Sequence, residues 1–115
     1  MRTLERNKTL LYLCESYEEN ELIKYREPKP VYDNYTPTNT ESDLIGIGLT
    51  YPMYLRIKTD IINKDRYKAG DKLFVYKQPP KVHDSLGKSC DYIVTDEPLK
   101  TINQVEVLLK RLSED

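Results

Sequence analysis

The chain holds one histidine, His83, followed directly by Asp84, and two cysteines, Cys14 and Cys90. A histidine beside a carboxylate suggests nucleophilic catalysis, in which the acid orients an imidazole that takes a proton from serine or cysteine. Residues adjacent in sequence seldom meet in that geometry, and the nucleophile has to come from elsewhere. Cys90 directly precedes an expected strand and has no lysine or arginine beside it to hold a thiolate. As metal ligands, Cys14, His83 and Cys90 give three soft donors without a paired spacing, whereas a structural zinc site takes four. Gly46-Ile47-Gly48 lacks the third glycine of a dinucleotide loop, and no lysine-serine or lysine-threonine pair follows it in P-loop spacing. The acidic group Glu18-Glu19-Asn20-Glu21 lacks a recognised calcium spacing and reads as a solvated turn. The expectation is therefore no enzyme, no cofactor and no metal. His83 and Asp84 read as loop residues, with Asp84 opening an Asx-type turn ahead of Ser85 and Gly87.

The elements that position these residues read as strands. Thr9 to Tyr17 alternates, with Leu11 and Leu13 on one face and Tyr12, Cys14 and Ser16 on the other, so this strand should be covered on both sides. The turn at Glu18 to Glu21 joins it to Leu22-Ile23-Lys24-Tyr25 as a hairpin. Pro28 and Pro30 should interrupt pairing before Val31 to Tyr35 resumes it as an edge or bent strand. The clearest alternation is Tyr51 to Thr59: Met53, Leu55, Ile57 and Thr59 point one way, Tyr54, Arg56 and Lys58 the other. The two cations on its outer side suit solvent, DNA or an acidic neighbour. Asp60 to Tyr67 is expected to make one helical turn or a crossover. After the Gly70-Asp71 turn, Lys72 to Lys77 forms a strand that Pro79 and Pro80 stop. A polar segment then leads to a partner strand at Asp91 to Thr95.

Between these runs lies Thr36 to Gly48, the most polar and turn-prone segment, expected as one long mobile loop ending in an apolar, glycine-softened run. Short strands broken by prolines, with no sustained helix, point to an all-β fold. The expected architecture is a small barrel or sandwich of about six to seven antiparallel strands in a single domain. Residues 1–8 are read as an N-terminal arm and 113–115 as a polar tail.

The order Gly70-Asp71-Lys72-Leu73-Phe74-Val75, Pro79-Pro80, His83-Asp84, Asp91-Tyr92-Ile93-Val94 and Thr101-Ile102-Asn103 resembles the head-closure, or head-tail connector stopper, proteins of long-tailed bacteriophages and prophages. The opening Met1-Arg2-Thr3-Leu4-Glu5-Arg6-Asn7 looks like that family's start, so the resemblance covers about half the chain, at its two ends. It implies a virion protein, made in the host cytoplasm, that forms a homo-oligomeric ring at the head-tail interface. Such a ring closes the capsid exit after packaging, touches portal or adaptor and tail proteins, and meets double-stranded DNA transiently. It also implies a gating loop, which falls here on Thr40, Glu41, Ser42, Asp43, Leu44, Ile45, Gly46 and Ile47, with Ile45 and Ile47 as apolar tips. A tail-completion or tail-terminator role is the neighbouring alternative. The segment Thr101 to Leu112 is ambiguous on pattern: Thr101 and Gln104 fit a capping box, and Ile102, Val105, Leu109 and Leu112 recur at helical spacing. Val105, Val107 and Leu109 also share a strand face, and the resemblance places a closing strand here.

Composition limits other classes. Eighteen basic and nineteen acidic residues give a net charge of −1, with no basic stripe for a dedicated nucleic-acid binder. Ten tyrosines without a tryptophan favour half-wet faces, and they leave a single-stranded nucleic-acid-binding barrel as a further alternative. No long apolar run suggests a membrane partner. Two cysteines so far apart in sequence suggest reduced thiols rather than a disulfide framework.

Overall fold

Strands whose alternate residues are apolar must bury one face, and here they do so by closing one sheet upon itself. A computed structural model of the protein describes residues 8–37 and 52–112. Its strands are β1 (Thr9–Cys14), β2 (Ser16–Glu19), β3 (Leu22–Tyr25), β4 (Lys29–Pro37), β5 (Tyr54–Asp60), β6 (Lys72–Phe74), β7 (Tyr92–Val94), β8 (Leu99–Lys100) and β9 (Gln104–Arg111). Six of them are neighbours in the order β5-β4-β1-β6-β7-β9, and β9 pairs back onto β5, which makes a closed antiparallel barrel. The seam is the longest ladder, running from Tyr54 opposite Lys110 to Asp60 opposite Gln104. β8 continues the sheet beside β9, while β2 and β3 form a separate hairpin.

The barrel interior is filled by Leu11, Leu13, Leu55, Ile57, Leu73, Tyr92, Val94, Val105, Val107 and Leu109, all nearly or wholly buried. The alternation in β5 places Leu55, Ile57 and Thr59 inside and leaves Arg56 and Lys58 exposed. β1 is covered on both sides, as its sequence suggests. Leu11 and Leu13 face inward, and Cys14 packs outside the wall with Phe74, Cys90 and Tyr25 of the hairpin. The hairpin turns on Asn20 and Glu21, both with positive φ (52° and 67°), as a two-residue turn matched to strand twist requires.

Several expectations are corrected. Pro30 does not interrupt pairing: it sits opposite Tyr12 inside β4, which lies between β1 and β5 and is not an edge strand. β5 joins β4 only from Asn34, so Pro30 occupies a stretch with a neighbour on one side, where a missing N–H is tolerated. Thr36 and Pro37 belong to β4, opposite Arg56 and Leu55, so the long loop does not begin at Thr36. The strand expected over Lys72 to Lys77 ends at Phe74, because the N–H groups of Val75 and Tyr76 donate to the Asp91 carboxylate instead (2.8 Å each). The first strand breaks at Glu15, so Tyr17 belongs to the hairpin. The crossover is one 3-10 turn, Ile61–Asn63, capped by Asp60.

The C-terminal segment is a strand. Thr101 Oγ1 still accepts from the Gln104 N–H (3.3 Å), the bond a capping box would use, but here it closes the turn between β8 and β9. Residues 1–7 of the arm and the tail 113–115 lie outside the described residues.

Two buried carboxylates tie the connections to the wall. Asp71 accepts from Ser16 N–H (2.9 Å), Ser16 Oγ (3.0 Å), Lys68 N–H (3.2 Å) and Lys68 Nζ (2.9 Å), which fixes where the hairpin leaves β1. Asp33 of β4 accepts from Arg66 Nη1 (2.7 Å) and the Tyr67 hydroxyl (2.5 Å), which clamps the crossover. Removing one partner of such a pair strands the other, at about 3 kcal/mol or more. Asp33→Ala is expected to lower stability by about that amount, and Asp33→Asn, which keeps an acceptor for Tyr67, by less. Denaturant unfolding of the two variants checks this, with the slope unchanged.

Candidate functional site

The gating residues read from the sequence, Thr40 to Ile47, lie outside the described residues, but both anchors of their loop are within them. Pro37 ends β4 directly opposite Leu55 of β5. The backbones at that point are about 5 Å apart, and a hairpin needs about two to five residues to join them. Residues 38–53 make the connection here. The chain between the anchors is therefore far longer than strand pairing demands, and functional segments tend to take this form.

A chain of tyrosines builds the base of the loop. Tyr92 of β7 is fully buried, and its hydroxyl donates to the Pro52 carbonyl at 2.6 Å. The Arg111 N–H donates to the Met53 carbonyl at 2.7 Å, so the residues entering β5 are held by two strands. The Tyr92 ring meets Tyr76 (5.9 Å between centroids), and Tyr76 meets Tyr35 of β4 edge to face (5.7 Å, 89°). Tyrosine suits this position because its ring fills the barrel end while its hydroxyl serves a carbonyl there. Asp91 sets the backbone of Tyr76 through the two bonds that end β6. Burial, then hydrogen bonding with Tyr35, pushes the Tyr76 phenol well above its ordinary value. In the clamp, burial and then the Asp33 charge do the same to Tyr67.

The residues that invited a chemical reading are placed otherwise. The His83 ring nitrogen Nε2 is bonded to the Tyr25 carbonyl (2.6 Å). Asp84 accepts from the N–H groups of Leu86 (2.9 Å) and Lys88 (3.1 Å), the Asx-type turn its sequence suggests. The backbone bond from Leu86 leads in holding its carboxyl below the usual range. Gly87 follows with φ of +66°, where a Cβ would meet the Tyr25 ring and the Lys72 stem at 2.9 Å. Cys14 and Cys90, distant in sequence, meet in space: both are buried free thiols with sulfurs 3.9 Å apart. The Cys90 hydrogen bond draws the Cys14 thiol down, and the same bond and burial push Cys90 up. Among the described residues no cluster of three or more histidine, cysteine or acidic side chains is arranged to hold a metal. No helix among them is long and apolar enough to cross a membrane.

Sequence reasoning missed the tyrosine base, because nothing local to Tyr76 or Tyr92 reports on Pro52. Compared with protein-family models, curated proteins and solved structures, the chain gives no match in any of the three.

Two outcomes test the base. Tyr92→Phe leaves the buried Pro52 carbonyl without its donor, which should cost about 1–3 kcal/mol and hasten proteolytic cleavage between residues 38 and 51 relative to the rest of the barrel. The pH profile follows from the raised phenols. The folded state keeps protons that the unfolded chain releases above its ordinary value of 10.0, so stability is intact below that pH and declines as pH rises through and beyond it. Thermal melts across this range check the sign.

Proposed function

We propose that the chain is a subunit of a head-closure ring at the head-tail connector of a long-tailed phage or prophage. The observation that carries the reading is a closed barrel whose β4–β5 connection, overlong like the one between β6 and β7, has its two ends fixed in register by Pro37 opposite Leu55 and by the Tyr92 bond to Pro52. A rigid base repeated around an axis brings the same loop to the same height in every copy, so the apolar tips Ile45 and Ile47 can meet and narrow a channel. The strings at the two ends of the chain that resemble stopper proteins supply the biological setting. The work is mechanical: portal or adaptor proteins template the ring, the loops retain double-stranded DNA, and tail attachment moves them.

The barrel as a stacking platform for single-stranded nucleic acid is the weaker reading. Among the described tyrosines only Tyr32 is exposed, at 54%, while Tyr25, Tyr67 and Tyr92 are buried and Tyr35 and Tyr76 pack on the core.

Deleting Thr40 to Ile47 should leave a folded barrel that still joins connector-bearing heads, yet filled heads should lose their DNA. Nuclease protection of packaged DNA, with light scattering for ring formation, checks both halves. DNA retained in full by the deletion assigns the gate elsewhere. A wild-type chain that binds completed tails and ignores heads makes it a tail-completion protein instead.

A further inference from the structure

The outer face of the β5–β9 seam leaves Arg56, Lys58, Asp60 and Lys110 exposed, and its chemistry is specific. Opposed pairs there are Tyr54 with Lys110, Arg56 with Leu108, Lys58 with Glu106, and Asp60 with Gln104. Three cations thus surround two half-buried apolar groups, Tyr54 and Leu108, with two acids, Glu106 and Asp60, towards one end. Glu106 is engaged by Lys58 at 3.7 Å and Asp60 accepts from the Ile62 N–H at 3.0 Å, while Arg56 and Lys110 have no ion pair among the described residues.

The hairpin β2–β3 has the opposite character. Its tip carries Glu18, Glu19 and Glu21, and it leaves Leu22 and Ile23 exposed at 56% and 54%. Lys24 engages Glu19 (3.0 Å). A solvated turn needs acids but not two exposed branched aliphatics beside them.

The topology sets these surfaces on opposite sides of the subunit. Around the circle β5-β4-β1-β6-β7-β9, the pair β5 and β9 lies across from β1 and β6. The hairpin packs outside β1 and β6, where Tyr25 meets Cys14 and Phe74. An acidic, apolar projection on one side and a basic, apolar face on the other form the two halves of a head-to-tail contact, the type that closes into a ring when the rotation allows.

We infer that the β5–β9 face is the docking site for the β2–β3 hairpin of a second copy of this chain, with Glu18 and Glu21 meeting Arg56, Lys58 and Lys110 while Ile23, on the same hairpin face as Glu18, covers Tyr54 and Leu108. The inference rests on the ring reading above and names the surfaces that build the ring. Because the ion pairs form at an exposed rim, the contact weakens as salt is added.

Carbodiimide cross-linking of mixed isotope-labelled and unlabelled full-length chain, at high protein concentration and low salt, tests it. The expected product is an intermolecular link from Glu18 or Glu21 to Lys58 or Lys110, lost when salt is raised. Glu18→Lys with Glu21→Lys should abolish the link, as should Arg56→Glu with Lys110→Glu, while both variants melt like the parent. An equimolar mixture of the two variants should restore it, since each hairpin then faces a complementary seam. Absence of the link in the parent, or its persistence in either variant, overturns the inference. Self-association through other cross-links refutes these surfaces and leaves the ring standing. The expected link together with no attachment to connector-bearing heads keeps the contact and removes the head-closure reading. A duplex DNA mobility shift abolished by the seam variant, without the protein link, makes the face a DNA surface and also overturns the inference.

Discussion

The pairing of β9 with β5 is the constraint on which the rest of the molecule depends. An open six-stranded sheet of these residues would expose two edges and leave one face of Leu55, Ile57, Val105, Val107 and Leu109 to water. Closure removes both problems at once, and it fixes which side chains point outward. Arg56, Lys58 and Lys110 are exposed because their neighbours are inside, so the character of the seam's outer face follows from the core. A slip of one residue along this ladder would exchange the two sets.

Closure also makes local irregularities consequential. Among the described residues no α-helix covers the barrel, and its connections are secured by buried carboxylates in place of a second layer. Asp33, Asp71 and Asp91 each accept from residues at least fifteen positions away, and no buried side-chain polar atom among the described residues lacks a partner. Each carboxylate governs one connection: Asp33 the crossover, Asp71 the exit of the hairpin, Asp91 the end of β6 and the setting of Tyr76. Satisfied polar groups in a low-dielectric surround define one arrangement more sharply than apolar contact alone.

What the sequence discloses follows from how far each determinant acts. Period-two alternation is local, so β1, β5 and the hairpin are legible, and so is the all-β class. The C-terminal segment is not decided locally, because Val105 and Leu109 suit both periods and the Thr101 to Gln104 bond serves a helix start and a strand turn equally. The unpaired edge of β5 decides it. Asp33 reads as part of a strand, Asp71 as half of a turn pair and Asp91 as the start of a strand, and none of them announces its buried role, since the groups they serve lie largely elsewhere in the chain. The contact of Cys14 with Cys90 and the bond of Tyr92 to Pro52 are hidden for the same reason. Of the loop, length and polarity are evident, but its start is displaced to the residue after Pro37 because β5 recruits Thr36 and Pro37 into pairing.

A rigid wall and a long connection are complementary requirements for any mechanical role. A loop can obstruct a channel only if its ends are held while its middle is free of the ladder, since a slack base would let the whole connection yield under load. The tyrosines supply that hold from within: Tyr92 acts on the residues entering β5, and Tyr35 on the strand leaving β4, with Tyr76 between them. The anchoring strand β5 is also the strand whose outer side presents Arg56 and Lys58. A contact made there by a neighbouring copy would bear on the loop base through the same backbone. In the proposed ring, assembly at the seam and the position of the loop base would be linked through one seven-residue strand, with no need for a separate signalling element.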